Sequence, residues 1–139
     1  MEWICKTQDL EALAQDLVKE LTAPFVLWLE GEVGAGKTTL TGHILRALGL
    51  PQGVPVTSPS CCYANDYEIG GRYYAHLDLY RIQDGALPPE GVLADDRQYQ
   101  GLIVEWPGQA SLGSSFLPTH RLKIRYREES LDERSYLLI

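Results

Sequence analysis

Gly31-Glu32-Val33-Gly34-Ala35-Gly36-Lys37-Thr38 matches the pattern G-x-x-x-x-G-K-[ST] at each of its fixed positions. Glycines without Cβ atoms let a backbone curl round a polyphosphate and aim several N–H groups at it. Lys37 supplies a mobile cation for the β and γ phosphates, and the Thr38 hydroxyl suits Mg²⁺, a small hard ion that takes oxygen ligands and keeps several waters. The bland alternative is a glycine-rich turn that happens to precede a lysine, and the flanks decide between the two, because the motif has to leave a buried strand and open a helix. Upstream, Phe25-Val26-Leu27-Trp28-Leu29 is an unbroken apolar run of strand length behind Pro24, as a strand covered on both faces of a parallel sheet requires. Downstream, Leu40, Ile44, Leu45 and Leu48 recur at helical spacing up to Gly49, which suits the left-handed residue that closes a helix. Such a helix turns its partly positive end toward the phosphates. The residues expected to bind a nucleotide are thus Glu32, Val33, Gly34, Ala35, Gly36, Lys37, Thr38 and Thr39.

Outward from this centre, Trp3-Ile4-Cys5 reads as a short strand, and Thr7 stands where an N-cap belongs, with Asp9 and Glu11 in the turn where a helix dipole favours acids. Leu10, Leu13, Ala14, Leu17, Val18 and Leu21 then form an amphipathic stripe that needs a sheet to lie on. Beyond the second helix, Pro51 to Pro59 is too rich in proline and glycine for regular structure throughout. It leads into Val56-Thr57-Ser58-Pro59-Ser60, whose hydroxyls read either as commonplace loop residues or as a segment that folds over a γ-phosphate and its metal.

Tyr63 to Ile69 and Arg72 to Leu79 flank Gly70-Gly71, the kind of two-residue connection that makes a tight hairpin. On its second strand Ala75, Leu77 and Leu79 point one way, while Tyr74, His76, Asp78 and Tyr80 point the other. That second set is a solvated face or a chemical one, and a neighbouring phosphate loop favours the latter, since a hydrolase needs a carboxylate to orient water or help hold the metal. A short helix is expected around Val92 to Asp96. Gly101-Leu102-Ile103-Val104-Glu105-Trp106-Pro107 is an apolar strand that ends on a carboxylate and is stopped by proline. Ligands of open parallel sheets sit beyond the carboxyl ends of the strands, so Glu105 falls at the edge where Thr38 would hold Mg²⁺. In the tail, Leu122 to Tyr126 and Ser135 to Ile139 read as strands that extend the sheet at an edge, separated by a polar turn at Glu128 to Glu133.

At 139 residues the chain suffices for one domain, 1–139, with one core. Hydrophobic content of 45% and charged content of 22% are those of a soluble globular protein, and no apolar run reaches membrane-spanning length. The N-terminus lacks a signal-peptide pattern, which points to the cytoplasm and to no membrane partner. Cys5, Cys61 and Cys62 make neither a disulfide framework nor a zinc pattern. A net charge of −7 argues against a surface that grips nucleic acid directly. The fold expected is α/β of the P-loop NTPase kind: a mainly parallel central sheet with an antiparallel hairpin and edge strands, and helices on both faces.

Taken together, Gly31-Glu32-Val33-Gly34-Ala35-Gly36-Lys37-Thr38-Thr39-Leu40, Val56-Thr57-Ser58-Pro59-Ser60, His76-Leu77-Asp78-Leu79-Tyr80-Arg81 and Glu105-Trp106-Pro107 resemble, in order and spacing, the TsaE (YjeE) family. These are small bacterial P-loop ATPases of tRNA threonylcarbamoyladenosine synthesis. The phosphate loop is common to many families, whereas the two later motifs are much more specific. The resemblance implies ATP and Mg²⁺ as ligands, Asp78 and Lys37 as catalytic residues, Thr38 and Glu105 at the metal, and Ser58 and Ser60 in a switch loop. It also implies the TsaB–TsaD complex as partner, with tRNA reached indirectly through it. Three positions depart from the family pattern: Ser60 stands where S-P-T has threonine and keeps the hydroxyl, Cys61 stands where phenylalanine is frequent, and Gly108 stands where a second acid follows E-W-P.

Rival readings are a small-molecule P-loop kinase and an ATP-sensing module without significant turnover. A kinase generally needs an arginine-bearing lid, but the eight arginines are dispersed. A GTPase would carry N-K-x-D and D-x-x-G, and the sequence has neither.

Overall fold

Seven strands form one sheet, and the most apolar of them lies at its centre. The computed structural model describes residues 1–32, 36–59, 63–82, 92–93, 97–107, 116–128 and 130–139. Within these the chain runs β1 (Glu2–Lys6), α1 (Leu10–Glu20), β2 (Phe25–Glu30), α2 (Lys37–Leu48), β3 (Ala64–Ile69), β4 (Arg72–Asp78), β5 (Tyr99–Glu105), β6 (His120–Arg127) and β7 (Ser130–Leu138). The spatial order is β1-β7-β6-β2-β5-β4-β3. The middle is parallel, with β2 paired to both β5 and β6 and β4 paired to β5. The flanks are antiparallel: the β3–β4 hairpin on one side, β6–β7 and β7–β1 on the other. The mixed α/β architecture with a parallel centre is therefore as expected.

Strand β2 shows why an unbroken apolar run is needed here. Phe25, Leu27 and Leu29 enter one buried cluster with Leu10, Leu13, Ala14 and Leu17 of α1 and Leu40, Ile44 and Leu45 of α2. Val26 and Trp28 pack instead against a second cluster, made by Ala75, Leu77, Leu79, Ile82, Leu102 and Val104. Both described helices thus cover the same face. The opposite face is closed by connecting segments, through Tyr63, Val92, Leu93 and Phe116. Helices on both faces are therefore not found among the described residues: one face is helical and the other is covered by loop side chains. The expected helix at Val92 to Asp96 is not seen at Val92 and Leu93, which lie in a bend, and its remaining residues fall outside the described ones.

The helix ends follow local chemistry, with one change. Thr7–Asp9 forms a single 3-10 turn, and Asp9, not Thr7, takes the N-cap place of α1, without a side-chain cap bond. The Thr7 hydroxyl accepts from Arg134 across the gap to β7 instead (3.4 Å). α2 closes on Gly49 at φ +119°, whose N–H donates to Arg46 O at 3.0 Å while Leu50 N–H donates to Leu45 O at 3.0 Å. In the hairpin, Gly70 (φ +59°) and Gly71 (φ +79°) both take the left-handed conformation that a tight two-residue turn demands.

The tail departs from expectation. β6 does not lie at an edge but runs parallel to β2 inside the sheet, and β7 lies between β6 and β1, so the edges are β1 and β3. The cause is a pairing remote in sequence, Leu27 with His120 through Glu30 with Lys123, which the alternating pattern of the strand does not encode. Residues assigned to a polar turn, Ser130 to Glu133, already belong to β7. No helix among the described residues is long and apolar enough to cross a membrane.

Gly101 permits the β2–β5 pairing. A Cβ at that position would meet the Phe25 ring at 2.2 Å, and Phe25 is itself buried in the helical core beside Tyr74. Gly101→Ala is expected to destabilise the fold by about 1–3 kcal/mol, as overpacking does. Combining it with Phe25→Leu recovers part of that loss. Urea denaturation of the single and double variants checks both statements.

Candidate functional site

Parallel pairing aligns the carboxyl ends of three strands. Leu29 of β2 stands opposite Glu105 of β5, and Glu105 stands opposite Asp78 of β4. The glycine-rich turn leaves β2 one residue later, so its return into α2 brings Lys37 and Thr38 back over this edge. Gly36 makes that return possible at φ +90°, with its carbonyl accepting from Leu40 N–H at 2.9 Å. Val33, Gly34 and Ala35, expected to cradle phosphates, lie outside the described residues. Glu32 is exposed beside the loop, and Thr39 is exposed in the groove between α1 and α2, with Glu11 and Gln15.

Lys37 is only 5% exposed. Its Nζ donates to the carbonyls of Gly31 and Glu32, the latter at 3.2 Å, and stands 3.6 Å from the centre of the Trp106 ring. Burial pushes its pKa below the ordinary lysine value, while the nearby carboxylates of Glu105 and Asp78 oppose the shift. A partly desolvated ammonium held by two carbonyls and an aromatic face is a ready partner for an anion. To meet a phosphate it has to leave the Trp106 face. Trp106 itself takes φ +58°, a left-handed conformation costly for an aromatic residue, and packs against Tyr80 with ring centres 4.9 Å apart.

Glu105 is 2% exposed, so it is not the solvated strand-end acid it resembles in isolation. Thr38 Oγ1 donates to its carboxylate (3.3 Å to Oε1, 3.2 Å to Oε2), and His76 Nε2 touches Oε2 from β4. A hydroxyl and a carboxylate held together suit a hard cation that completes its shell with water and phosphate oxygens. Asp78 is held differently. Its Oδ2 accepts from Ser58 Oγ at 3.1 Å and its Oδ1 from the Tyr80 N–H at 3.1 Å, while its own N–H donates to Tyr63 O at 2.9 Å. The segment around Ser58 is tied down by Asn65, whose amide donates to Thr57 O at 3.1 Å. Ser60, the other expected switch residue, lies outside the described residues, as do Cys61 and Gly108.

Lys37, Thr38, Ser58, Asp78 and Glu105, drawn from four separate segments, thus converge on one edge of the sheet. His76 and Trp106 join them: the sequence set His76 on the chemical face and Trp106 on a face for a partner, and neither at Lys37 or Glu105. The signal for His76 was present in the period of two, which sets it on the same face as Asp78. Beside the start of the loop a cavity of about 630 Å³ opens between Trp106, Glu32, Lys123 and Tyr126.

Comparison with known proteins agrees on one family. The sequence model described as "Threonylcarbamoyl adenosine biosynthesis protein TsaE" matches residues 4–136. A Bacillus subtilis (strain 168) protein named "tRNA threonylcarbamoyladenosine biosynthesis protein TsaE" is 35% identical over 125 residues, covering 84% of this chain and 73% of the relative. An Aquifex aeolicus (strain VF5) protein of the same name is 32% identical over 130 residues, covering 87% and 91%. Among solved structures, that of YdiB from Bacillus subtilis superposes with a TM-score of 0.65 at 28% identity, over 98% of this chain and 82% of that one.

The buried ammonium yields a stability prediction. A lysine whose pKa is lowered on folding binds its proton more weakly in the folded state than in the unfolded one, so its charge opposes folding at every pH below the folded value. That opposition fades as pH climbs through the folded value toward 10.5. Stability is accordingly expected to rise as alkaline buffer takes the pH through the folded value, and Lys37→Met is expected to remove that rise. Urea titrations at neutral and alkaline pH measure it.

Proposed function

This chain belongs to the TsaE family of threonylcarbamoyl adenosine biosynthesis proteins, and we propose that it serves tRNA threonylcarbamoyladenosine (t6A) modification as a Mg²⁺-dependent ATPase. One observation carries the reading: Thr38 hydrogen-bonded to a buried Glu105, with Lys37 and Asp78 at the same strand ends, is the set of groups that a nucleotide polyphosphate and its cation require. In this reading ATP is the substrate. Its terminal phosphoryl group passes to water, giving ADP and inorganic phosphate. Lys37 binds the β and γ oxygens once it has left the Trp106 face, and the backbone of the glycine-rich loop holds the phosphates. Thr38 and Glu105 would hold Mg²⁺, which when bound neutralises the charge on the phosphate oxygens. Asp78 orients the attacking water, and Ser58, bonded to Asp78, passes the state of the γ-phosphate to the switch segment that it shares with Ser60.

Hydrolysis of this kind needs a use, and a switch segment beside the γ-phosphate is read by another protein. The partner in this reading is the TsaB–TsaD complex in the cytoplasm. The acidic chain, with its net charge of −7, reaches tRNA through that complex and not by its own surface.

Phosphate release by the chain alone, with TsaB–TsaD, and with the pair plus tRNA tests the proposal, and turnover is expected to rise with the partners. Equal rates in all three, with no ATP-dependent association in pull-downs, would remove the partner. Phosphate that appears only on an added small-molecule acceptor would make the protein a kinase, and binding without turnover would make it a sensor. Among variants, Lys37→Ala is expected to lose ATP binding or turnover. Asp78→Asn is expected to keep binding and lose turnover at least tenfold, about 1.4 kcal/mol of transition-state stabilisation. Glu105→Gln is expected to raise the Mg²⁺ concentration needed for activity, and a Mg²⁺ titration that overlays the wild type would take Glu105 out of the metal shell.

A further inference from the structure

We propose that His76 is a positioning residue that fixes Glu105, and through it Thr38, so that the Thr38 hydroxyl presents its lone pairs to Mg²⁺. The inference deepens the ATPase reading above and rests on it.

His76 lies on β4 and is 0% exposed, on the face that it shares with buried Tyr74. Its Nε2 touches Glu105 Oε2 on the adjacent strand β5. A carboxylate oxygen accepts, so the ring is assigned with a proton on the Nε2 that faces Glu105. Nδ1 is buried without a partner among the described residues. A side chain kept only to fill space would not carry that cost, because leucine has a similar bulk and no polar atom to bury. The imidazole is there for the contact it makes.

The direction of each hydrogen bond gives the contact its meaning. Thr38 also donates to Glu105, but at 3.3 Å and 3.2 Å, longer than is usual for a hydroxyl on a carboxylate. His76 holds the same carboxylate from β4. With its hydrogen committed to Glu105, the Thr38 oxygen has only lone pairs left, and these are what a cation takes. If Glu105 swings, Thr38 rotates with it and the cation loses a preset donor. The chain of bonds runs His76 to Glu105 to Thr38 across β4, β5 and α2, and it is complete before any nucleotide arrives. Imidazole suits the first position because it is stiff, reaches across the strand spacing, and offers its donor at a fixed place.

The test is the Mg²⁺ dependence of binding of a fluorescent, non-hydrolysable ATP analogue, measured for the wild type, His76→Leu and His76→Gln. Glutamine places an amide donor near the site of Nε2. In His76→Leu the half-saturating Mg²⁺ concentration is expected to rise about tenfold or more, while affinity for the analogue in excess chelator stays within about twofold of the wild type. His76→Gln is expected to recover most of the Mg²⁺ response. Three outcomes would each overturn the proposal: a His76→Leu curve that overlays the wild type, an equal fall of affinity with and without Mg²⁺, or a folded His76→Gln as impaired as His76→Leu.

Should His76→Leu fail to fold, the wild type decides by imidazole nitrogen NMR of histidine-labelled protein, with His43 and His120 as internal references. Mg²⁺ added to the analogue-loaded protein is expected to move the His76 Nε2 resonance, and an unmoved resonance sinks the proposal. A wild type that is indifferent to Mg²⁺ would remove the ATPase reading and this inference together. A Mg²⁺-dependent wild type matched by His76→Leu would remove this inference alone.

Discussion

A carboxylate that is 2% exposed must be hydrogen-bonded from inside the protein, and Glu105 meets that demand with donors from two other elements, Thr38 of α2 and His76 of β4. Much of the architecture follows from this constraint. β4 and β5 have to be neighbours in parallel, in a register that sets Asp78 beside Glu105. α2 has to start over the same edge, which requires the chain to leave β2 and turn back at once through a left-handed glycine. α1 and α2 then share the face on which Phe25, Leu27 and Leu29 are presented, so the helical core and the polar cluster grow from the same side of one sheet.

The parts of this arrangement legible in the sequence were those with local causes. An apolar run and a leucine stripe closed by glycine belong to contiguous residues, and the structure has β2 and α2 where they were read. Gly70 and Gly71 likewise specify their hairpin by conformation alone. The parts that were not legible depend on partners far away in the chain. Nothing in His120–Arg127 states that it will pair with β2 and lie inside the sheet. Likewise, the cover described on the face opposite α1 and α2 comes from scattered side chains such as Tyr63 and Phe116, which carry no period to read. The candidate site divides in the same way. Lys37 and Thr38 follow from a motif, whereas the burial of His76 and the place of Trp106 over Lys37 exist only once strands β4 and β5 are side by side.

Trp106 shows how a site and its scaffold pull against each other. Its left-handed backbone is unfavourable for a bulky residue, and the cation on its face is partly desolvated. Neither feature helps the fold. Both place a large ring and a partly desolvated ammonium beside Gly31 and Glu32, where an incoming anion has something to displace. Stability given up locally is made good elsewhere, in two apolar clusters that sandwich β2.

The closing of the sheet by β7 between β6 and β1 also has a meaning in time. Glu2 pairs with Leu137 and Lys6 with Glu133, so β1 leaves a ribosome long before residues 130–138, its partner strand, have been made. Contacts of such long sequence separation form late and slow the folding of the domains that depend on them. During that interval Trp3 and Cys5 cannot reach their final packing, and β1 is an open template for pairing with other chains. Crowding on polysomes is thus a condition that sets unpaired β1 strands of neighbouring chains beside one another.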